Sequence, residues 1–112
     1  MIRALSMCAL PVDDVDRAVR FYRDVLGFAV HEGDPWVTVS PPSQPDVRIV
    51  LDPGDAGGRL AFTTDDCDAT FEHVEASGAE VMQEPITRPG GVRDCAFTDP
   101  AGNLVRFTQR RG

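Results

Sequence analysis

The chain has 112 residues, a formal net charge of −7 and 42% hydrophobic residues. That length allows one domain with a single core and little room for long insertions. The acidic balance excludes nucleic acid or an anionic membrane surface as the main partner, since either needs a basic face.

In chain order, Ile2 to Val12 reads as a strand, with Cys8, Leu10 and Val12 on the face that meets a helix. Asp13 or Asp14 can cap that helix by accepting from free N–H groups of its first turn. Val15, Ala18, Val19, Tyr22 and Val25/Leu26 recur at helical spacing, and Gly27 supplies a left-handed stop before Phe28 opens a second strand running to Glu32. Gly33-Asp34-Pro35 reads as a turn, Trp36 to Ser40 as a third strand, and Pro41 to Asp46 as a surface loop because three prolines cannot donate to a ladder. Val47 to Asp52 is a fourth strand, with Val47, Ile49 and Leu51 on one face and Arg48, Val50 and Asp52 on the other.

After a linker, Pro53 to Gly58, the design recurs. Arg59 to Thr63 is a fifth strand, with Leu60 and Phe62 toward a second helix that opens at Thr64-Asp65-Asp66-Cys67-Asp68. Cys67, Thr70, Phe71 and Val74 form its stripe, and Gly78 closes it. Asp13-Asp14-x-Asp16 matches Asp65-Asp66-x-Asp68 at an offset of 52, and Gly27 matches Gly78 at an offset of 51. Ala79 to Gln83 is then a short sixth strand, and Glu84 to Gly91 a loop. Val92 to Thr98 and Leu104 to Gln109 form a closing hairpin around Asp99-Pro100-Ala101-Gly102-Asn103.

The expected fold is therefore α+β: two βαβββ modules, 1–52 and 59–112, whose antiparallel sheets carry their helices on one face and curve around a cleft with the other. The apolar runs are too short to cross a bilayer, and Met1-Ile2-Arg3 leads into a strand pattern and not into a leader, so the expected location is cytoplasmic. Cys8, Cys67 and Cys95 have wide, unpatterned spacing that suits neither a disulfide framework nor a zinc site; they read as small buried hydrophobes.

The run Val12-x-Asp14-x-Asp16-x-Ala18-x-x-Phe21-Tyr22-x-x-x-Leu26-Gly27-Phe28, together with Phe97-Thr98-Asp99-Pro100-x-Gly102-Asn103, resembles the glyoxalase/bleomycin-resistance/extradiol-dioxygenase group, the vicinal oxygen chelate superfamily. The resemblance spans nearly the whole chain and implies the fold more specifically than the function, since the group includes isomerases, dioxygenases, lyases, thiol transferases and drug-binding proteins. It also implies four metal-ligand positions, held by His or Glu in metal-dependent members, on the first, fourth, fifth and eighth strands. Here they fall on Met7, Val50, Arg59 and Arg106. None is a carboxylate or an imidazole, and two are permanent cations, so no metal and no other cofactor is expected. His31 and His73 read as solvated surface residues.

The candidate ligand-binding residues are Met7, Trp36, Arg48, Val50, Arg59 and Arg106. Arg48, Arg59 and Arg106 share the parity of the ligand-facing side, where a guanidinium pairs with a carboxylate, phosphate or enolate; alternatively Asp52 and Asp94 neutralise them. Trp36 is either a stacking wall or core, and Met7 an adaptable apolar floor. Asp94, Asp99 and Glu84 are carboxylates available for acid–base work or for turns. Three functions follow: a metal-independent binder of a small anionic or carbonyl-bearing organic molecule, a metal-independent lyase or isomerase that stabilises an oxyanion or enolate, and, least favoured, a metal-dependent lyase or dioxygenase. The resemblance further implies a homodimer.

Overall fold

The computed structural model describes residues 1–33, 36–55 and 57–110. The chain forms two units, Met1–Ala56 and Gly57–Gly112. In the first lie β1 (Met7–Val12), α1 (Val15–Arg20), β2 (Ala29–His31), β3 (Thr38–Ser40) and β4 (Arg48–Pro53). In the second lie β5 (Arg59–Thr63), α2 (Cys67–Ala76), β6 (Glu80–Thr87), β7 (Arg93–Thr98) and β8 (Leu104–Gln109). The sheet orders are β1-β4-β3-β2 and β5-β8-β7-β6, so the βαβββ unit occurs twice.

Both helices begin as the repeated aspartates require. The Asp14 carboxylate accepts from Arg17 N at 3.1 Å and the Asp66 carboxylate from Ala69 N at 3.0 Å, each satisfying an otherwise unpaired donor of the first turn. Asp13 instead pairs with the Arg17 side chain. Both helices are closed by a glycine in the left-handed region, Gly27 at φ 75° and Gly78 at φ 90°. The first helix differs from the regular one expected, because Phe21–Val25 form a π turn in which Leu26 N donates to Phe21 O at 3.2 Å. The wider turn lets two adjacent aromatics, Phe21 and Tyr22, face the core together; they meet edge to face at 5.2 Å.

Strand lengths also depart from the sequence pattern. β1 starts at Met7, although the alternation runs back to Ile2, because turns closed by Gln44 N to Pro41 O and Val47 N to Gln44 O leave no partner strand before Arg48. β3 starts at Thr38 and leaves Trp36 outside it. β6 runs eight residues to Thr87 instead of stopping at Gln83. Pro85 is tolerated there because β6 is an edge strand and its pairing with β7 shifts register between Gln83 and Ile86. The turn expected at 33–35 and the linker at 53–58 fall partly on Asp34, Pro35 and Ala56, outside the described residues; Pro53 itself belongs to β4.

The hairpin neighbours are antiparallel, as expected, whereas β1 pairs with β4 and β5 with β8 in parallel. A helix crossover returns the chain to the end where it started, so β2 runs the same way as β1, and two hairpins later β4 does so again. Each sheet is thereby mixed, and its helix covers one face. Leu10, Val12, Ile49, Leu51 and Val39 are buried in the first unit with Tyr22 and Phe28. Cys95, Phe97, Val105 and Phe107 are buried in the second with Cys67, Phe71 and Val74 of α2.

Candidate functional site

Register decides which side chains share the face opposite the helix. In the first sheet Met7 lies across from Arg48, and Ala9 across from Val50, which in turn lies across from Thr38. Their strand neighbours Cys8, Leu10, Ile49 and Val39 are the helix-side residues, so Met7, Arg48, Val50 and Thr38 share the face away from the helix, the open face, although Val50 and Thr38 are themselves buried in it. In the second sheet Arg59 lies across from Leu104 and Ala61 across from Arg106, while Phe62 and Phe107 form the adjacent helix-side pair. Arg59 and Arg106 therefore share the open face there too.

Their settings differ. Met7 and Trp36 are exposed, at 47% and 51%, whereas Val50 is 5% exposed and offers little surface to a ligand. Arg48 is half-buried and Arg59 exposed, and neither forms an ion pair among the described residues. Arg106 is held: its Nη1 donates to Gln83 Oε1 at 2.8 Å and to Asp94 Oδ1 at 3.2 Å. Asp94 Oδ2 accepts from Arg88 Nε at 2.6 Å, and Arg88 also donates to Gln83. The Arg88 bond, followed by the Gln83 bond and the charges of Arg88 and Arg106, holds the Asp94 carboxyl below the usual carboxylate range against the opposing effect of burial. Asp94 thus balances one of two arginines, and the cluster keeps a net positive charge.

Sequence reasoning named Asp94 as a neutraliser but missed Gln83 and Arg88. The closing hairpin signals only the Asp94–Arg106 pair: a turn at 99–103 places Asp94 across from Thr108, diagonal to Arg106. The other carboxylates have different duties. Asp99 Oδ1 accepts from Ala101 N and Asn103 N, and Asn103 Nδ2 donates to Asp99 Oδ2, so this pair builds the turn. Asn103 Oδ1 in turn accepts from Gly57 N and Gly58 N at 3.2 and 2.8 Å, tying the entry of β5 to that of β8. Glu84 is exposed on β6.

His31 is not the free surface residue its sequence setting suggests. It is half-buried, and its Nε2 lies 3.1 Å from Oγ of the fully buried Ser40. Cys67 and Cys95 are both fully buried between α2 and β7. Burial, and then the neighbouring Cys67 thiol, pushes the Cys95 thiol up to about 12, which makes it a poor nucleophile.

The divalent ion of metal-dependent glyoxalase-like proteins does not fit these residues. Val50 has no donor atom, Met7 offers only a thioether, and Arg59 and Arg106 repel a cation. Among the described residues no group of three or more His, Cys, Asp or Glu is placed to hold a metal.

Two mixed four-stranded sheets, each with a helix on one face, define a twice-repeated βαβββ architecture of the glyoxalase type. Residues 4–107 match the Glyoxalase/Bleomycin resistance protein/Dioxygenase superfamily, and the chain belongs to it. TnmS3, an antibiotic binding protein from Streptomyces sp. CB03234, is 30% identical, with a TM-score of 0.85 and 98% of each chain covered. A superfamily member from Sphaerobacter thermophilus is 26% identical, with a TM-score of 0.86 over 97% of this chain and 98% of its own. The lactoylglutathione lyase of Haemophilus influenzae is 28% identical over 91% of this chain and 89% of its own. Among the described residues no helix is long and apolar enough to cross a membrane.

Proposed function

We propose that this chain binds a small, flat, anionic or carbonyl-bearing organic molecule on its open sheet faces without a metal ion. The observation that carries the reading is the pair of cations where the superfamily resemblance places metal ligands. Arg106, oriented by Gln83 and Asp94, presents a fixed donor for an anion, and Arg59, exposed and without an ion pair among the described residues, adds an uncommitted one. The face of the first unit, taken by itself, carries a cation in Arg48 and an apolar contact in Met7, with Trp36 as a stacking surface and Val50 contributing shape more than contact. The antibiotic binding relative supports retention of a small molecule as the chain's activity.

A second reading, a metal-independent lyase or isomerase, draws on the lactoylglutathione lyase relative and on Arg106. A guanidinium already held in place can stabilise an oxyanion or enolate with little reorganisation. A metal-dependent lyase or dioxygenase is disfavoured by all four positions. Three free thiols suit a reducing, cytoplasmic setting.

Native mass spectrometry of protein purified without added ligand, followed by titration with the molecule identified, tests the binding reading. Arg59→Ala is expected to weaken affinity by about 1.5–3 kcal/mol if its side chain makes a charged hydrogen bond, with added salt weakening the wild type. Unchanged affinity for Arg59→Ala and Arg106→Ala alike would sink the arginine anchors. Conversion of the molecule on incubation would favour the enzyme. Elemental analysis showing about one zinc, manganese or iron per chain, lost on substituting Met7 or Val50, would overturn metal independence.

A further inference from the structure

The Ser40 hydroxyl has one proton, and it is already committed: Oγ donates to the Val47 carbonyl at 2.6 Å. The same oxygen lies 3.1 Å from His31 Nε2. A bare nitrogen lone pair facing an oxygen lone pair at that distance would be repelled, so the ring carries its proton on Nε2 and donates to Oγ. In the neutral imidazole Nδ1 is then an unprotonated acceptor. Ser40, on the same face as His31, is 0% exposed and tied to backbone, so the ring is oriented by a fixed partner. The arrangement is the reverse of an activated serine, whose proton would go to the imidazole.

His31 lies across from Thr38, and Thr38 across from Val50, which places His31 on the open face with Met7 and Arg48. Among the described residues Nδ1 has no hydrogen-bond partner. On the same face, β4 is two strands away from β2, and Arg48 is two residues before Val50. At ~4.8 Å per strand and ~3.3 Å per residue, the His31 and Arg48 backbones are about 12 Å apart. Thr38 and Ser40 of the intervening strand β3 lie between them on that face.

We propose that His31 Nδ1 is a ligand-contacting acceptor that makes the open face of the first unit selective. The molecule bound there carries a hydroxyl or N–H donor at the end opposite its anionic group, with His31 taking the donor and Arg48 the anion. This rests on the small-molecule reading above and adds a chemical requirement to it. Ser40 is a positioning residue: it touches His31 and not the ligand.

Two measurements test it. Long-range proton–nitrogen correlation spectra of the wild-type protein, at a pH where the ring is neutral, are expected to show His31 protonated at Nε2 and bare at Nδ1; the opposite tautomer overturns the proposal with no variant needed. Titration with 6-hydroxy-2-naphthoate and 6-methoxy-2-naphthoate then compares two flat anions of which only the first can donate from its far end, with the His31→Phe variant controlling for the added methyl group. The wild type is expected to bind the hydroxyl compound about tenfold more tightly, as one hydrogen bond allows. His31→Phe keeps a flat ring and is expected to bind both about equally. Equal binding by the wild type, or a preference retained by His31→Phe, removes the inference and leaves the small-molecule reading standing. Failure of the wild type to bind either naphthoate removes the flat-anion reading and the inference together.

Discussion

Asp94 organises the open face of the second sheet. It is 4% exposed and accepts from Gln83, Arg88 and Arg106, so removing its carboxylate leaves Arg88 Nε without an acceptor and takes one bond each from Gln83 Nε2 and Arg106 Nη1, which keep others to the Asp94 carbonyl and to Gln83 Oε1. The arginines are 45% and 30% exposed and can be rehydrated, which limits the cost. Asp94→Ala is expected to lose about 1–2 kcal/mol in urea denaturation at neutral pH. Because the folded-state pKa is depressed, principally by the Arg88 bond, the carboxylate's contribution is present above the ordinary aspartate value and is lost as pH falls through the lower folded one. The gap between wild type and Asp94→Ala should therefore narrow in acid; a gap constant with pH would show that the loss is packing and not charge. Arg106 and Asp94 were legible as a pair because they lie on adjacent strands of a hairpin whose turn is written in Asp99-Pro100-x-Gly102. Gln83 and Arg88 were not, because Pro85 reads as a loop signal when the edge position of β6 is unknown.

At the level of elements, the two helices are set by their ends. Gly27 sits at φ 75°, and a Cβ built on it meets nothing within 4 Å, so any penalty for a side chain there is conformational and not steric crowding. Gly27→Ala is expected to destabilise by about 1–2 kcal/mol in thermal or urea melts, and Gly27→Asn by less, since asparagine enters the left-handed region more readily. Equal melting points for all three proteins would contradict the strain. The packing of α2 on β7 carries a second consequence, in alkali. Burial raises both the Cys67 and the Cys95 thiol, the latter to about 12. The unfolded chain then loses these protons at lower pH than the folded one. Stability is full below the ordinary thiol pKa and falls as pH rises toward 12. Chemical denaturation across that range is expected to show a shallower decline for Cys95→Ala than for wild type, even if Cys95→Ala starts lower through its cavity. Parallel declines would mean that these thiols do not govern the alkaline loss.

For the whole molecule, the open question is assembly. Ile2, Leu5, Met7, Trp36, Met82 and Ile86 are large apolar side chains left exposed, and β1, β2, β5 and β6 are sheet edges. Covering such groups favours association, and a two-fold pair is the commonest closed way to do it. A homodimer is our proposal, and light scattering at micromolar concentration is expected to return twice the 12.2 kDa chain mass; a monomer mass across that range would refute it.

The repeat itself was readable from local chemistry. Asp14 and Asp66 can cap, Gly27 and Gly78 can adopt positive φ, and strand alternation separates Arg106 from Phe107, all because these properties depend on a residue and its near neighbours. Nothing local could announce the π turn that turns Phe21 and Tyr22 inward together, the truncation of β1 for want of a partner, or the extension of β6 through Pro85. Those depend on which strand lies alongside. The same holds for His31: its protonated nitrogen is decided by Ser40, and Ser40's proton by the Val47 carbonyl, three segments that meet only when β2, β3 and the approach to β4 are assembled.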